Sequence, residues 1–369
     1  MIPHSEPYFS GNEFAALSHC IDTGWVSSAG PAVVELSTAI KELTQSPGVL
    51  ALNSGTSALH LALIGCGVQA GDYVVIPDFT FIATANAVKY CGAEPILLDV
   101  HPQTWQSDIG LWIEWLNENG VKKEGKCFHK KTGRCIRASI LVHALGYPAD
   151  AFKWATVCKE WGIETVEDAA GALGSMLQNK ACGTIGRFGV ISLNGNKIIT
   201  GGSGGLLLCR DINDLSYLHH LSTQARLEGD LYEHDAVGFN YRMNNLTAAL
   251  ALAQLETLNY RIEIKKKIYQ GYRSYFSQGI WPEIIPSAQP NYWMVAFINP
   301  DKEELFQKCK SAGLEVRTLW KPLHLQVPYQ NCERINKISF AEKIWKQGIS
   351  LPTSIGSFMD GFPSLSAII

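Results

Sequence analysis

One lysine stands where an amine can do covalent chemistry. In Ser192-Leu193-Asn194-Gly195-Asn196-Lys197 a strand-like run from Phe188 to Leu193 ends in a polar turn. Ile198-Ile199-Thr200 then leads through Gly201-Gly202-Ser203-Gly204-Gly205 into a second apolar run, Leu206-Leu207-Leu208-Cys209. The small residues around Lys197 cannot cover it, while the runs that flank it belong in a core. An amine drawn out of water holds its proton less tightly, and the neutral amine attacks carbonyl groups. A lone Gly-x-Lys is more often a solvated surface turn, so the reading depends on what else the chain brings to it.

Asp168 ends a strand-like run and is followed by Ala169, Ala170 and Gly171, which leave room for a flat ring. A carboxylate there can bind a protonated pyridine nitrogen and hold the ring as an electron sink. Asn53-Ser54-Gly55-Thr56-Ser57 joins a short strand to a helix. The free amides of a helix start, with the Thr and Ser hydroxyls, make a phosphate cradle to which Ser192 adds a donor. Phe81 is placed to stack on a ring face. Each residue also has an ordinary reading: Asp168 as a helix cap, Asn53 or Ser54 as another, Phe81 as a core aromatic, Ser192 as a turn residue. Their coincidence supplies the parts that a pyridoxal-phosphate enzyme needs.

The elements that must position these residues alternate. Strands are expected at Val49–Leu52, Tyr73–Pro77, Pro95–Val100, Ser139–Ala144 and Gly162–Glu167, and helices at Gly11–Thr23, Val33–Leu43, Ala58–Ile64, Thr80–Tyr90, Leu111–Asn119 and Ala151–Trp161. Val-, Ile- and Leu-rich strands in β-α alternation predict a mostly parallel sheet covered by helices. Sites in such sheets lie at the carboxyl ends of the strands, where Asn53, Asp78, His143 and Asp168 fall. A basic, turn-rich insertion spans Lys122 to Arg137; it is either a solvated hairpin or a holder of a diphosphate. From Asn245 an amphipathic pattern predicts one long helix to about Tyr272, leaving a large domain (1–255) for a smaller one (256–369). The smaller domain should hold a strand at Tyr292–Ile298, helices at Lys302–Ala312 and Phe340–Gly348, and an extended tail from Ser350.

The bulk numbers bound the function. The chain has 369 residues, 46% hydrophobic and 18% charged, enough for a large domain with a smaller one. A net charge of −3 supplies no basic field for nucleic acid. The ten cysteines form no Cys-x-x-Cys pairs, so neither a metal site nor a disulfide framework is expected. The opening Met1-Ile2-Pro3-His4-Ser5-Glu6-Pro7 lacks the charged and apolar regions of a secretory signal, and no apolar run is long enough for a bilayer. A cytoplasmic setting, away from membranes, is expected.

Nearly end to end, the chain resembles the fold-type I pyridoxal-phosphate aminotransferases that act on nucleotide-linked keto-sugars. The resemblance is carried by Ser5-Glu6-Pro7, Asp22-Thr23-Gly24-Trp25-Val26-Ser27-Ser28, Asn53 through His60 and Pro77 through Asn86. It continues in Glu167-Asp168-Ala169-Ala170, Ser192 through Thr200, Gly238-Phe239-Asn240-Tyr241-Arg242-Met243 and Trp320-Lys321-Pro322-Leu323-His324. The Asn194-Gly195-Asn196-Lys197 version and the Gly24-Trp25-Val26-Ser27-Ser28 start are most similar to the sugar 4-aminotransferase branch.

The resemblance implies an α/β, aspartate aminotransferase-like fold: a large, mostly parallel-sheet domain with a smaller α/β C-terminal domain. It implies that Lys197 bonds covalently to pyridoxal 5'-phosphate and shuttles a proton, and that Asp168 pairs with the ring nitrogen. Gly55, Thr56, Ser57 and Ser192 hold the phosphate and Phe81 stacks on the ring. Asn240 reaches the cofactor of a neighbouring subunit in a homodimer. Trp25, Ser28, Arg317 and His324 line the sugar-nucleotide pocket. The implied reaction moves an amine from glutamate to the C4 ketone of a nucleotide-linked 4-keto-6-deoxy sugar, with a UDP-linked N-acetyl sugar foremost, for polysaccharide or glycan precursors. A 3-keto-sugar or GDP-sugar substrate, or a non-catalytic cofactor-binding regulatory homologue, are the alternatives. Three residues depart from the family pattern. Gly171 stands where a larger polar residue is usual, Leu193 replaces a common aromatic, and Ser203 replaces Gly or Glu.

Overall fold

A computed structural model describes residues 1–229, 231–335 and 339–359. The chain opens with α1 (Glu13–Asp22) and α2 (Pro31–Thr44) before β1 (Gly48–Leu52) turns into α3 (Gly55–Gly65). β2 (Tyr73–Pro77), α4 (Ala83–Tyr90), β3 (Glu94–Leu98) and α5 (Ile109–Asn119) follow. The hairpin of β4 (Gly120–Lys123) and β5 (Lys126–His129) leads to β6 (Cys135–Val142), α6 (Ala151–Trp161) and β7 (Glu164–Asp168). Two short strands, β8 (Met176–Leu177) and β9 (Lys180–Ala181), precede β10 (Phe188–Ser192) and β11 (Gly205–Cys209). Next come α7 (Ile212–Ser222), α8 (Asn245–Leu255), α9 (Leu258–Tyr275), β12 (Ala288–Gln289) and β13 (Val295–Ile298). The last elements are α10 (Lys302–Ser311), β14 (Arg317–Thr318), β15 (Glu333–Arg334), α11 (Phe340–Gln347) and β16 (Gly348–Leu351).

The main sheet runs in the order β1-β11-β10-β7-β6-β2-β3-β15. Along this path every neighbour from β10 to β15 is parallel; β11 runs antiparallel, between β10 and β1. β1, β2 and β11 are buried along their whole length, because helices cover both faces. Residues of β1 show why. Leu50 and Leu52 pack with α3, and Val49 and Ala51 pack with α2 and α8 on the other side. The parallel alignment puts the carboxyl ends of β1, β2, β6, β7 and β10 on one rim.

The C-terminal part adds a separate three-stranded sheet, β13-β16-β14, and returns β15 to the edge of the main sheet beside β3. No helix among the described residues is long and apolar enough to cross a membrane.

The expected long helix from Asn245 is two helices. Thr257 leaves helical geometry (φ −108°), and its Oγ1 accepts from Arg261 Nε at 2.8 Å. α8 is Ala- and Leu-rich and packs on α1 and α2, whereas α9 is amphipathic, so the two pieces face different surroundings. The expected tail from Ser350 begins inside β16, and residues 360–369 lie outside the described residues. The Lys122–Arg137 insertion is most of the β4–β5 hairpin and the turn into β6; Lys122 lies over the Trp161 ring and Arg134, in that turn, over Tyr73.

Candidate active site

At the strand rim a cavity of about 550 Å³ opens between the main sheet and the C-terminal segments. Lys197 enters it from the loop between β10 and β11. That loop is tied down at several points: Lys197 N donates to Asn194 O (3.0 Å), Gly201 N to Leu193 O (3.0 Å) and Leu193 N to Gly204 O (3.0 Å). The Lys197 amine lies 3.7 Å from the centre of the Trp293 ring. Burial lowers its pKa to about 8, against the raising pull of the Asp168 carboxylate. A neutral, nucleophilic fraction is therefore present near neutral pH.

Asp168 closes β7 and is buried. Thr84 Oγ1, from the first turn of α4, donates to its Oδ2 at 2.8 Å, and the Ala170 amide donates to Oδ1 at 3.1 Å. Thr84 is itself 2.9 Å from Thr80 Oγ1. Burial raises the carboxyl above its ordinary pKa, while Thr84, Ala170 and the charge of Lys197 hold it down. A buried carboxylate aimed at a cavity gains most from a cationic N–H brought there by a ligand.

On the cavity's far wall α3 begins. Ser54 caps it by accepting the Ser57 amide at 3.0 Å, so Gly55, Thr56 and Ser57 form the helix's first turn. The helix thus starts three residues earlier than Ala58. Ser54, Gly55, Thr56 and Ser192 face the cavity. Ser57 does not: its hydroxyl is held by Asn53 Oδ1 at 2.7 Å and Ser54 Oγ at 2.9 Å, so it supports the cap rather than lining the site. The first turn can approach β11 closely only because Gly205 lacks a side chain; a Cβ there would stand 2.4 Å from Gly55 N.

Deeper, His143 at the end of β6 is fixed by Glu167. Its Nδ1 accepts the Ala149 amide at 3.0 Å, so the proton sits on Nε2, which donates to Glu167 Oε2 at 2.9 Å. Glu167 also accepts the amides of Gly183, Ile185 and Gly186 at 3.0, 2.6 and 2.7 Å. This fully buried pair anchors the rim of β6 and β7.

The remaining expected residues separate into two groups. Phe81, 60% exposed, and Arg317 line the cavity, the latter with its guanidinium held by Glu315. Trp25, Ser28, Asn240 and His324 do not line it. Ser28 faces another groove, of about 480 Å³, beside Val49 and Arg242. The backbone carbonyl of Trp25 accepts from Asn245, and Asn240 is exposed with its carbonyl holding Asn53. His324 is buried between Asp78 and Glu342, where it joins the C-terminal segment to the end of β2. Those carboxylates hold the imidazole in place.

A profile of the DegT/DnrJ/EryC1/StrS aminotransferase family matches residues 7–357. The chain belongs to this family. Its members are pyridoxal-phosphate-dependent sugar aminotransferases, and this chain is one of them. It is 31% identical over 371 residues to the GDP-perosamine synthase of Escherichia coli O157:H7, covering 99% of this chain and 94% of that protein. It is likewise 31% identical to the GDP-perosamine synthase of Caulobacter vibrioides, covering 95% and 92%. Among solved structures, a DegT DnrJ EryC1 StrS aminotransferase from Brucella abortus superposes with a TM-score of 0.86 at 25% identity, covering 93% and 90% of the two chains. The expected fold type is therefore the one found.

The cavity fits the family's cofactor. It offers one amine, one buried carboxylate short of a cation, and a helix N-terminus where close packing at Gly205 leaves room only for backbone.

Two residues of this aminotransferase site were missed in the sequence. Thr84 lies within the Pro77–Asn86 segment, but its hydrogen bond to Asp168 is a tertiary contact. Trp293 fills the space that Gly171 leaves: a Cβ at 171 would stand 2.2 Å from the indole Cε3. The departure at Gly171 was the available signal, since a missing side chain near a cofactor must be replaced by something. The vacancy is filled from another part of the fold.

Proposed function

We propose that this sugar aminotransferase moves an amine from glutamate to the C4 ketone of a nucleotide-linked 4-keto-6-deoxy sugar, producing an amino sugar for surface polysaccharide or glycan assembly. The observation that supports it is the convergence of Lys197, Asp168, Ser192 and the first turn of α3 on one cavity. The amides of Gly55 and Thr56 with Ser192 would hold the phosphate. Asp168 would keep a proton on the ring nitrogen, and Phe81 would cover a ring face. When bound, the cofactor supplies an electron sink for the carbon that loses or gains a proton. Lys197 would carry that proton as general base and then acid.

The reading includes a homodimer in which Asn240 completes the neighbouring subunit's site, with Trp25, Ser28, Arg317 and His324 in the sugar-nucleotide pocket. Supporting it, Asn240 is exposed and off its own cavity, and Leu231, Tyr232 and Val237 on the same segment are exposed apolar residues. A division near residue 255 between a larger cofactor-binding part and a smaller C-terminal part, and a cytoplasmic setting, belong to the same reading. The relatives named GDP-perosamine synthases favour a GDP-linked substrate over the UDP-linked N-acetyl sugar that the resemblance implied.

Product analysis by NMR, with glutamate and a panel of GDP- and UDP-linked 3-keto and 4-keto sugars, tests this. An amine at C4 is the expected product; an amine at C3, or none from any panel member, overturns the substrate assignment. Lys197→Ala should lower turnover by about a hundredfold to ten-thousandfold or more. Near-normal turnover in that variant removes the assignment of the lysine.

A further inference from the structure

The indole of Trp293 occupies the space beside Gly171 and is held through its ring nitrogen and its backbone. Its Nε1–H donates to Asn196 O at 2.6 Å, one residue before Lys197. Its backbone N–H donates to Asn291 Oδ1 at 2.9 Å, and Asn291 in turn donates to Gly171 O and Leu173 O, both at 2.9 Å. Its carbonyl accepts from Lys265 Nζ at 3.3 Å and Thr353 Oγ1 at 3.2 Å. Asn291 is fully buried and Trp293 is 4% exposed. A ring this tightly held presents one fixed face to the cavity, and the Lys197 amine rests on it.

We propose that Trp293 is a positioning residue for Lys197: in the protein without cofactor its ring face receives the ammonium and favours the charged form. This rests on the aminotransferase reading above. The physical cause is the negative face of the indole, which attracts a cation where water is excluded. Asp168 from β7 acts in the same direction through space. The other titratable groups lining the cavity are His143 from β6, His4 from the N-terminal segment and Arg317 from β14. Gly171 is the complement of this device. A side chain there has to displace the indole and with it the seat of the amine.

The test reads the Lys197 amine directly. The full chain without cofactor is labelled with a limiting amine reagent across pH, and the extent at Lys197 is measured by mass spectrometry. Trp293→Leu keeps the burial but removes the ring, so the labelling midpoint should fall by about half to one pH unit. Trp293→Phe offers a weaker ring and should fall by part of that amount. Gly171→Ala should mimic the loss, because its Cβ pushes the indole away.

If Trp293→Leu does not fold by circular dichroism, Trp293→Phe and Gly171→Ala decide the matter. An unmoved midpoint in both overturns the proposal, as does a midpoint in Trp293→Phe lowered as far as in Trp293→Leu. Failure of the aminotransferase reading looks different: the unmodified chain would take up pyridoxal phosphate without Lys197 becoming protected from label, whatever the midpoints.

Discussion

Asp168 shows how a residue's neighbours set its chemistry. Its carboxylate is buried without a contacting cation; the hydroxyl of Thr84 and the amide of Ala170 satisfy it, and Lys197 acts from a distance. A hydrogen bond to a charged group contributes about 1.5–3 kcal/mol. Thr84→Val removes the shorter of the two bonds and leaves a side chain of the same shape. Burial already raises this carboxyl, and losing the Thr84 donor raises it further. Asp168 then holds a ring-nitrogen proton less firmly, so kcat should drop by about tenfold to a hundredfold, while the covalent bond of the cofactor to Lys197 still forms. Stopped-flow half-reactions with glutamate, compared with the absorbance of the loaded protein, separate these effects. A variant with unchanged kcat would make Thr84 only a packing residue.

At the scale of elements, the site depends on α3 reaching the sheet rim beside β11. Gly205 is where the two backbones meet, and a Cβ there would lie 2.4 Å from both Gly55 N and Ser54 C. Backbone cannot swing aside as a flexible side chain can. Gly205→Ala should therefore cost about 1–3 kcal/mol, lowering Tm by roughly 1–4 °C, and should weaken cofactor binding by shifting the first turn of α3. Thermal melts with and without pyridoxal phosphate check both effects; an unchanged Tm and an unchanged affinity would mean that the turn has slack. The strands and helices around this turn were legible because parallel strands buried on both faces read as continuous apolar runs, as Tyr73–Pro77 does. The break between α8 and α9 was not, since it depends on Thr257 and Arg261 meeting Glu13 of α1. The partners of His324, Asp78 and Glu342, were not legible either, because they come from other segments of the chain. Trp293 was invisible because its role exists only opposite Gly171. What a spacing pattern conveys is local, and each of these features joins segments far apart in the chain.

For the whole molecule, the unusual expense is a buried lysine beside the Trp293 backbone. Lys265 of α9 is 3% exposed; its amine is held by Thr353 Oγ1 at 2.8 Å and Trp293 O, with the charge of Arg261 nearby. Burial lowers its pKa to about 7, from an ordinary 10.5. Below pH 7 the group is charged in both folded and unfolded chains, and the folded state bears the full cost of a buried ammonium. As pH rises from 7 toward 10.5 the folded state sheds the proton first, the unfolded state binds more, and stability rises. Lys265→Met lacks this term. The wild-type Tm, measured relative to that of Lys265→Met, should therefore climb by roughly 2–4 °C between pH 7 and pH 9. Taking the difference removes every titration that the two proteins share, so a parallel pair of Tm–pH curves would mean that the Lys265 amine stays charged in the fold. The absolute Tm of the variant carries separate information, because a thioether in place of the amine leaves the Trp293 carbonyl with only Thr353 as a side-chain donor. If that loosens the indole, the Lys197 labelling midpoint should fall as it does in Trp293→Leu, joining the stability of the C-terminal part to the readiness of the amine at the strand rim.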